Sequence, residues 1–225
     1  MIGKPRNDQL GYYAYINEMG RDSLRVILEC LPVRYLVPDH FCPTIIETMD
    51  AMGAYYKFYH INEDFSIDWS TVDEKDYDVF YYINHGKGKI RVPLDKILLE
   101  DNVFHKDFEP YHPQYIGYNS WRKCTGLICG SMIKSTIQLK DTYWQLPKDQ
   151  LELLLRTKRT IFVTYRVKDR DTVQNQLSHL GIYLPVFWRG SNNKLSEEVI
   201  SIPVDSRYTH KQIKEVEKIL CKYQL

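Results

Sequence analysis

No stretch of this 225-residue sequence approaches the roughly 18 consecutive apolar residues of a membrane-spanning helix, so none is expected. The first seven residues, Met1-Ile2-Gly3-Lys4-Pro5-Arg6-Asn7, have no apolar stretch behind their basic side chains, which argues against a secretory signal. Cysteine is sparse: five residues, at 30, 42, 124, 129 and 221, an odd number with no CxxC pair. Cys124 and Cys129 have no histidine partner at zinc spacing. A disulfide scaffold is therefore not expected, nor a metal, and free thiols in a reducing cytoplasm are. Charge of one sign is lacking too: 30 basic and 29 acidic side chains leave a net charge of +1, which argues against a nucleic-acid partner. P-loop, GxGxxG and GxSxG motifs are absent, and Gly86-Lys87-Gly88 has neither the third glycine nor the helix context of a dinucleotide fingerprint.

What remains is ordinary globular composition, 44% apolar and 26% charged. The exception is tyrosine, with 18 residues. Tyrosine favours pleated, half-buried surfaces, and it also suits sugar-contacting or interfacial surfaces, because it offers a flat face and a hydroxyl.

Apolar spacing predicts alternating elements. Leu24, Ile27, Leu28 and Leu31 repeat at helical spacing and Pro32 closes that helix. A buried strand follows at 33–37. Pro43 opens a second helix with Ile45, Ile46, Met49 and Met52 on one face, and Gly53 sits at its C-terminal cap. Strands are expected at 54–59, 79–83 and 96–99, with a polar connection at 62–78, a glycine-bearing loop at 84–89 and irregular chain at 102–117. Beyond a strand at 127–133 come a helix at 149–156, a strand at 160–167 and a helix carrying Val173, Leu177 and Leu180. Strands at 182–187 and 199–204 precede a last helix opened by Thr209-His210-Lys211-Gln212, a capping box. This order predicts an α/β protein: a mostly parallel sheet with helices on both faces over 1–140, and a small C-terminal α/β domain over 141–225.

Open α/β sheets bind ligands beyond the carboxyl ends of their strands. His40, His85 and Asp101 fall at such ends. The segment Tyr118-Asn119-Ser120-Trp121-Arg122-Lys123 adds a hydroxyl, an indole, a guanidinium and an ammonium in four consecutive positions. A lysine in a low-dielectric site can act as an amine nucleophile toward carbonyls.

In order along the chain, four stretches resemble the DegT/DnrJ/EryC1 sugar aminotransferases, pyridoxal-phosphate enzymes of fold type I. They are Met19-Gly20-Arg21-Asp22-Ser23-Leu24, Leu36-Val37-Pro38-Asp39-His40-Phe41-Cys42, Leu99-Glu100-Asp101 with Tyr118-Asn119-Ser120-Trp121-Arg122-Lys123, and residues 195–204. The resemblance implies that Lys123 holds the cofactor aldehyde and shuttles a proton. Asp101 would pair with the pyridine nitrogen, and Ser120 would bond the phosphate. Gly20, Arg21 and Asp22 would lend backbone donors to that phosphate, and either His40 or Phe41 would stack on the ring. His85 and His105 join the cofactor-binding set. Arg166, Trp188 and Arg207 would meet the substrate. The implied activity is transfer of an amino group from a donor such as glutamate to a keto sugar, nucleotide-linked, in polysaccharide biosynthesis, by a cytoplasmic homodimer.

Three departures stand against this pattern. Phe104 occupies the place, three residues after the aspartate, where the family carries glutamine or histidine. Only 16 positions separate His85 from Asp101, and 102 residues follow Lys123. The chain is shorter than typical members. The other reading is accordingly a shrunken relative that binds a sugar nucleotide, the cofactor or a partner subunit without turnover.

Overall fold

The computed structural model describes residues 11–125, 127–142, 144–156, 162–186, 188–204 and 208–225. The N-terminal heptapeptide, Arg207, Phe187 and the expected start of a strand at 160 lie outside the described residues.

Seven strands form one sheet: β1 (Tyr13–Asn17), β2 (Arg34–Pro38), β3 (Tyr55–Tyr59), β4 (Val79–Ile83), β5 (Ile97–Asp101), β6 (Tyr115–Tyr118) and β7 (Ser131–Ser135). Their spatial order is β1-β7-β6-β5-β4-β2-β3. β6, β5, β4, β2 and β3 pair in parallel, and β7 runs antiparallel to both of its neighbours. The fold is thus α/β with a mostly parallel sheet, as expected. The central strands read as continuous apolar runs because both faces are covered.

The pleat separates two cores. On one face Tyr35, Val37, Val79, Tyr81, Ile83, Leu99 and Ile116 meet the apolar stripes of α1 (Gly20–Cys30) and α2 (Pro43–Ala51). Pro43 begins α2, and Gly53 follows it at φ +66°, the left-handed turn that glycine tolerates best. On the other face Leu36, Phe80, Tyr82, Leu98 and Tyr115 are covered by loops around Ile61, Ile67 and Val92, and by Leu195 and Val199.

Beyond β7 the described residues form four helices and two strands. α4 (Lys148–Arg156) sets Leu154 against Trp121, Cys124 and Leu127, the first two from the one-turn α3 (Trp121–Cys124). β8 (Phe162–Arg166) and β9 (Val199–Pro203) form an antiparallel pair, with α5 (Arg170–His179), the one-turn α6 (Leu195–Glu198) and α7 (His210–Leu220) around it. This unit has its own core of Val167, Val173, Leu177, Ile200, Ile202 and Leu220. Thr209 and Gln212 close the predicted capping box on α7.

Four segments differ from the sequence-based expectation. β1 lies in a segment assigned no element, and β6 lies inside the stretch expected to be irregular. β6 is buried throughout and shows no polar alternation to announce it. The strand expected from 127 starts at Ser131, because Gly130 at φ +103° breaks the extended backbone and Leu127 buries itself from a loop. Residues 182–186 form no strand. Leu184 is buried there, but Pro185 has no N–H with which to pair.

Gly130 gives a direct test of this packing. A Cβ at this position would lie 2.6 Å from Trp121 Cε3 and 3.1 Å from Leu146 Cδ1, on a left-handed backbone. Gly130→Ala is expected to destabilise the protein by roughly 1–3 kcal/mol, from overpacking alone, read as a lower Tm in thermal melts.

Candidate active site

Asp101 at the end of β5, Tyr118 at the end of β6, and the N-terminus of α1 surround one cleft, with Ser120 and Lys123 at its rim. Four polar contacts, three of them buried and one part-buried, hold this assembly in place. Asn17 Nδ2 donates to Ser23 Oγ at 3.0 Å, Ser23 Oγ lies 2.7 Å from Ser131 Oγ, and Ser131 Oγ donates to the Asn119 carbonyl at 2.5 Å. The Asn119 side chain accepts from Met132 N at 2.8 Å. Helix α1, strand β7 and the 119–123 turn are thereby tied together. The turn itself is closed by Lys123 N donating to Ser120 O at 3.0 Å, and Trp121 N donates to Gly130 O at 2.9 Å.

Gly20 is the point of closest approach. A Cβ there would lie 3.3 Å from both Asn119 O and Ser120 Cβ, and 3.7 Å from Ser120 Oγ. The first turn of α1 therefore opens beside the Ser120 hydroxyl. A helix N-terminus with a neighbouring hydroxyl is a ready anion site. Gly20, Arg21, Ser120 and Lys123 all line the cleft, as does Arg122. Asp22 does not. Its amide donates to Met19 O at 3.0 Å, its Oδ2 accepts from Met19 N at 3.1 Å, and its Oδ1 takes Arg25 Nη1 at 2.9 Å. It caps its own helix, so the expectation that Asp22 lends a backbone donor to a phosphate is corrected.

Asp101 is 2% exposed. Its Oδ2 contacts Tyr81 Oη and Tyr118 Oη, each at 2.9 Å, and its Oδ1 accepts from Val103 N at 3.0 Å. Burial raises its pKa above the ordinary carboxylate value, while the charge of Lys123 and the donors around it pull the other way. Lys123 Nζ sits 5.7 Å from the centroid of the Phe104 ring, so the residue at the anomalous position faces the lysine with an apolar π surface.

The histidines are elsewhere. His40 is 1% exposed and packs under Trp188, ring centroids 4.7 Å apart, with His85 at 5.7 Å and Phe65 at 5.8 Å. His85 touches Trp188 at 4.8 Å. Phe41 is a core residue, and its ring stacks at 5.5 Å on the exposed Phe58. Neither His40, Phe41, His85 nor His105 is among the residues lining the cleft. Besides Tyr118, the aromatic side chain that lines it is Trp188, from the loop before α6. Trp188 holds φ +64°, a conformation costly for a bulky side chain, and its buried Nε1 has no hydrogen-bond partner among the described residues. Arg166 is engaged with Glu198 at 2.5 Å and Glu63 at 3.0 Å, away from the cleft. Reasoning from sequence missed Tyr81, Tyr118 and Thr44. Tyr118 was legible only through register, since it sits directly across from Asp101.

No family model matches the chain, and a search of curated proteins returns no match. Solved structures do match in fold. DesV of S. venezuelae aligns over 93% of this chain and 84% of its own, at 12% identity and TM-score 0.68. The sugar aminotransferase CalS13 of Micromonospora echinospora covers 94% and 88%, at 11% identity and TM-score 0.65. The histidinol-phosphate aminotransferase of Clostridium acetobutylicum covers 94% and 84%, at 11% identity and TM-score 0.63. The chain therefore has the fold of these fold type I aminotransferase structures.

Buried imidazoles make a pH prediction. Burial lowers the His40 pKa to about 4 and pushes His85 well below its ordinary value. The unfolded chain binds these protons near pH 6.5, so their stabilising effect is complete above that pH and is lost as pH falls toward 4. Tm is expected to drop from pH 7 to pH 4, more steeply in wild type than in His40→Gln. Asp101 and Glu100, whose pKa values are raised, act in the opposite sense, and comparing the two proteins isolates the imidazole.

Proposed function

We propose that the protein is a pyridoxal-phosphate-dependent aminotransferase acting on a keto sugar, nucleotide-linked, with an amino acid such as glutamate as donor. The observation that carries this reading is the convergence of Lys123, Asp101, Ser120 and the Gly20-led helix start in one cleft at the carboxyl end of a mostly parallel sheet. These residues fit the cofactor. The absent Cβ at Gly20 leaves a cradle against Ser120, and a buried carboxyl and a lysine line the same cleft.

In this reading Ser120 Oγ and the Gly20 and Arg21 amides hold the phosphate, with the Arg21 and Arg122 guanidinium groups adding positive charge. Asp101 meets the pyridine nitrogen. When bound, the cofactor supplies the electron sink for the chemistry. Lys123 Nζ would hold its aldehyde and, once the substrate's amine has displaced it and freed its lone pair, would take up and return the proton at the substrate carbon. Trp188 walls the cleft and excludes water. Residues 1–140 make up the cofactor domain and 141–225 the small domain, in a cytoplasmic homodimer.

Phe104 favours a second reading. Its ring provides no hydrogen bond where the resemblance expects one, which suits a chain that binds the cofactor or a sugar nucleotide without turnover.

Absorbance spectra separate the two. Added pyridoxal phosphate is expected to give a visible band that borohydride fixes to wild type and that Lys123→Ala lacks. Absence of the band in wild type would overturn the aminotransferase reading. Loss of the band on adding glutamate supports transamination, and a band indifferent to every amino donor supports binding alone. Ser120→Ala is expected to weaken cofactor binding about 10- to 100-fold, the worth of one hydrogen bond to a charged group, measured by titrating the band.

A further inference from the structure

Tyr81 and Tyr118 come from the strands on either side of β5, and both face Asp101. Tyr118 is its direct register partner on β6, and Tyr81 lies two residues before Ile83, its register partner on β4. The three oxygens form a closed triangle. Each phenol lies 2.9 Å from Asp101 Oδ2, and the two phenol oxygens lie 2.5 Å from each other. All three residues are buried, at 0%, 2% and 2% exposure for Tyr81, Tyr118 and Asp101.

Proton bookkeeping decides what this triangle is. Three contacts at these distances are hydrogen bonds only if each contains a proton. Burial and the adjacent carboxyl hold both phenols far above neutral pH in their titration, so each contributes one proton. With an ionised Asp101 there are two protons for three contacts, and one pair of lone-pair-bearing oxygens faces across a dry gap. With a protonated Asp101 there are three for three, and every oxygen donates once and accepts once. Oδ1 then serves as the carbonyl acceptor for Val103 N–H, at 3.0 Å. A satisfied buried network is stable where a partly satisfied one is costly.

We propose that Asp101 rests as a neutral carboxylic acid in the ligand-free protein, closing a three-proton ring with Tyr81 and Tyr118, and that its one proton is handed over to a basic aromatic ring nitrogen when such a ligand binds. The transfer balances without a redox partner. The Oδ2–H bond breaks, its electron pair stays on the carboxylate, and the proton forms an N–H bond on the ligand. The phenols then both turn to donate to the carboxylate, which remains paired with the ring cation. Taken singly, Lys123 and the bond donated by each phenol favour the ionised form, whereas burial and Glu100 on the opposite face of the sheet disfavour it, so closure of the ring as a whole decides. Tyr81 and Tyr118 are positioning residues here, acting through Asp101. The identity of the ligand rests on the cofactor reading above, but the resting proton does not.

The test is therefore made without cofactor. Infrared difference spectra at pH 7, wild type minus Asp101→Asn, are expected to show a carboxylic-acid C=O stretch that shifts or disappears in Tyr81→Phe and in Tyr118→Phe. Carboxylate stretches alone for Asp101 would overturn the proposal, and so would an acid band unmoved by both phenol removals. Should Asp101→Asn fail to fold, carboxyl-labelled aspartate read by carbon NMR in wild type and in the two phenylalanine variants gives the same decision. Failure to bind pyridoxal phosphate leaves this result standing, and an ionised Asp101 leaves the cofactor result standing.

Discussion

The site depends on the near-contact between the first turn of α1 and the backbone at Asn119 and Ser120. Ser23, Ser131 and Asn119 are each fully buried, and the bonds among them carry the load that side-chain packing carries elsewhere. Because each hydroxyl has a partner, the desolvation of three polar groups is compensated, and removal of any one would strand another. The glycine at position 20 lets the two backbones approach this closely. Lys123 inherits its position from this contact, since the one-turn helix that carries it is too short to be stable by itself.

The pleat of β5 makes the second division. Glu100 and Asp101 are adjacent in sequence, buried to the same 2% exposure, and point to opposite faces. Glu100 is enclosed by Tyr115, Asn102, Tyr111 and Asn84 in a closed polar network on the face away from the cleft. Asp101 meets its two phenols on the face that opens to solvent through the cleft. One acid is closed off by its network and the other lines the cleft, and the two-residue period of a strand is the cause. The tyrosine surplus has the same origin. Tyr35, Tyr59, Tyr77, Tyr81 and Tyr115 rank among the largest fully buried side chains. Several use the hydroxyl to cap a backbone carbonyl, as Tyr35 does at Leu31 and Tyr59 at Tyr81. Those tyrosines fill the core, and no sugar-contacting surface is needed to explain them.

The second unit reaches the sheet through the apolar packing of Leu195 and Val199, a few polar contacts and one aromatic cluster. Asn193 Nδ2 donates to Asp39 Oδ1 at 2.8 Å and to Ile61 O at 2.9 Å. Trp188 then packs on His40, His85 and Phe104. The strain of its positive φ is offset by this packing, and the cluster delivers an indole to the cleft wall. The histidines at the strand ends support that wall from behind and do not face the cleft themselves.

Local chemistry was enough for α1, α2, β4, β5 and α7, whose apolar spacing, Pro43, Gly53 and Thr209 cap are all short-range signals. It also drew attention to Asp101 and to the segment holding Ser120 and Lys123, whereas Gly20 entered only through the family resemblance; all four share the cleft. β1 and β6 were not legible, because a strand's hydrogen bonds are made to partners far along the chain. The choice between His40 and Phe41, the capping role of Asp22 and the closure of Tyr81 and Tyr118 on Asp101 were likewise beyond it. Sequence by itself determined which residue types lie at strand ends and helix starts, since period and capping act over a few residues. Only the tertiary structure decided which of them share a cavity, because register across the sheet and the close approach at Gly20 join groups more than 80 positions apart.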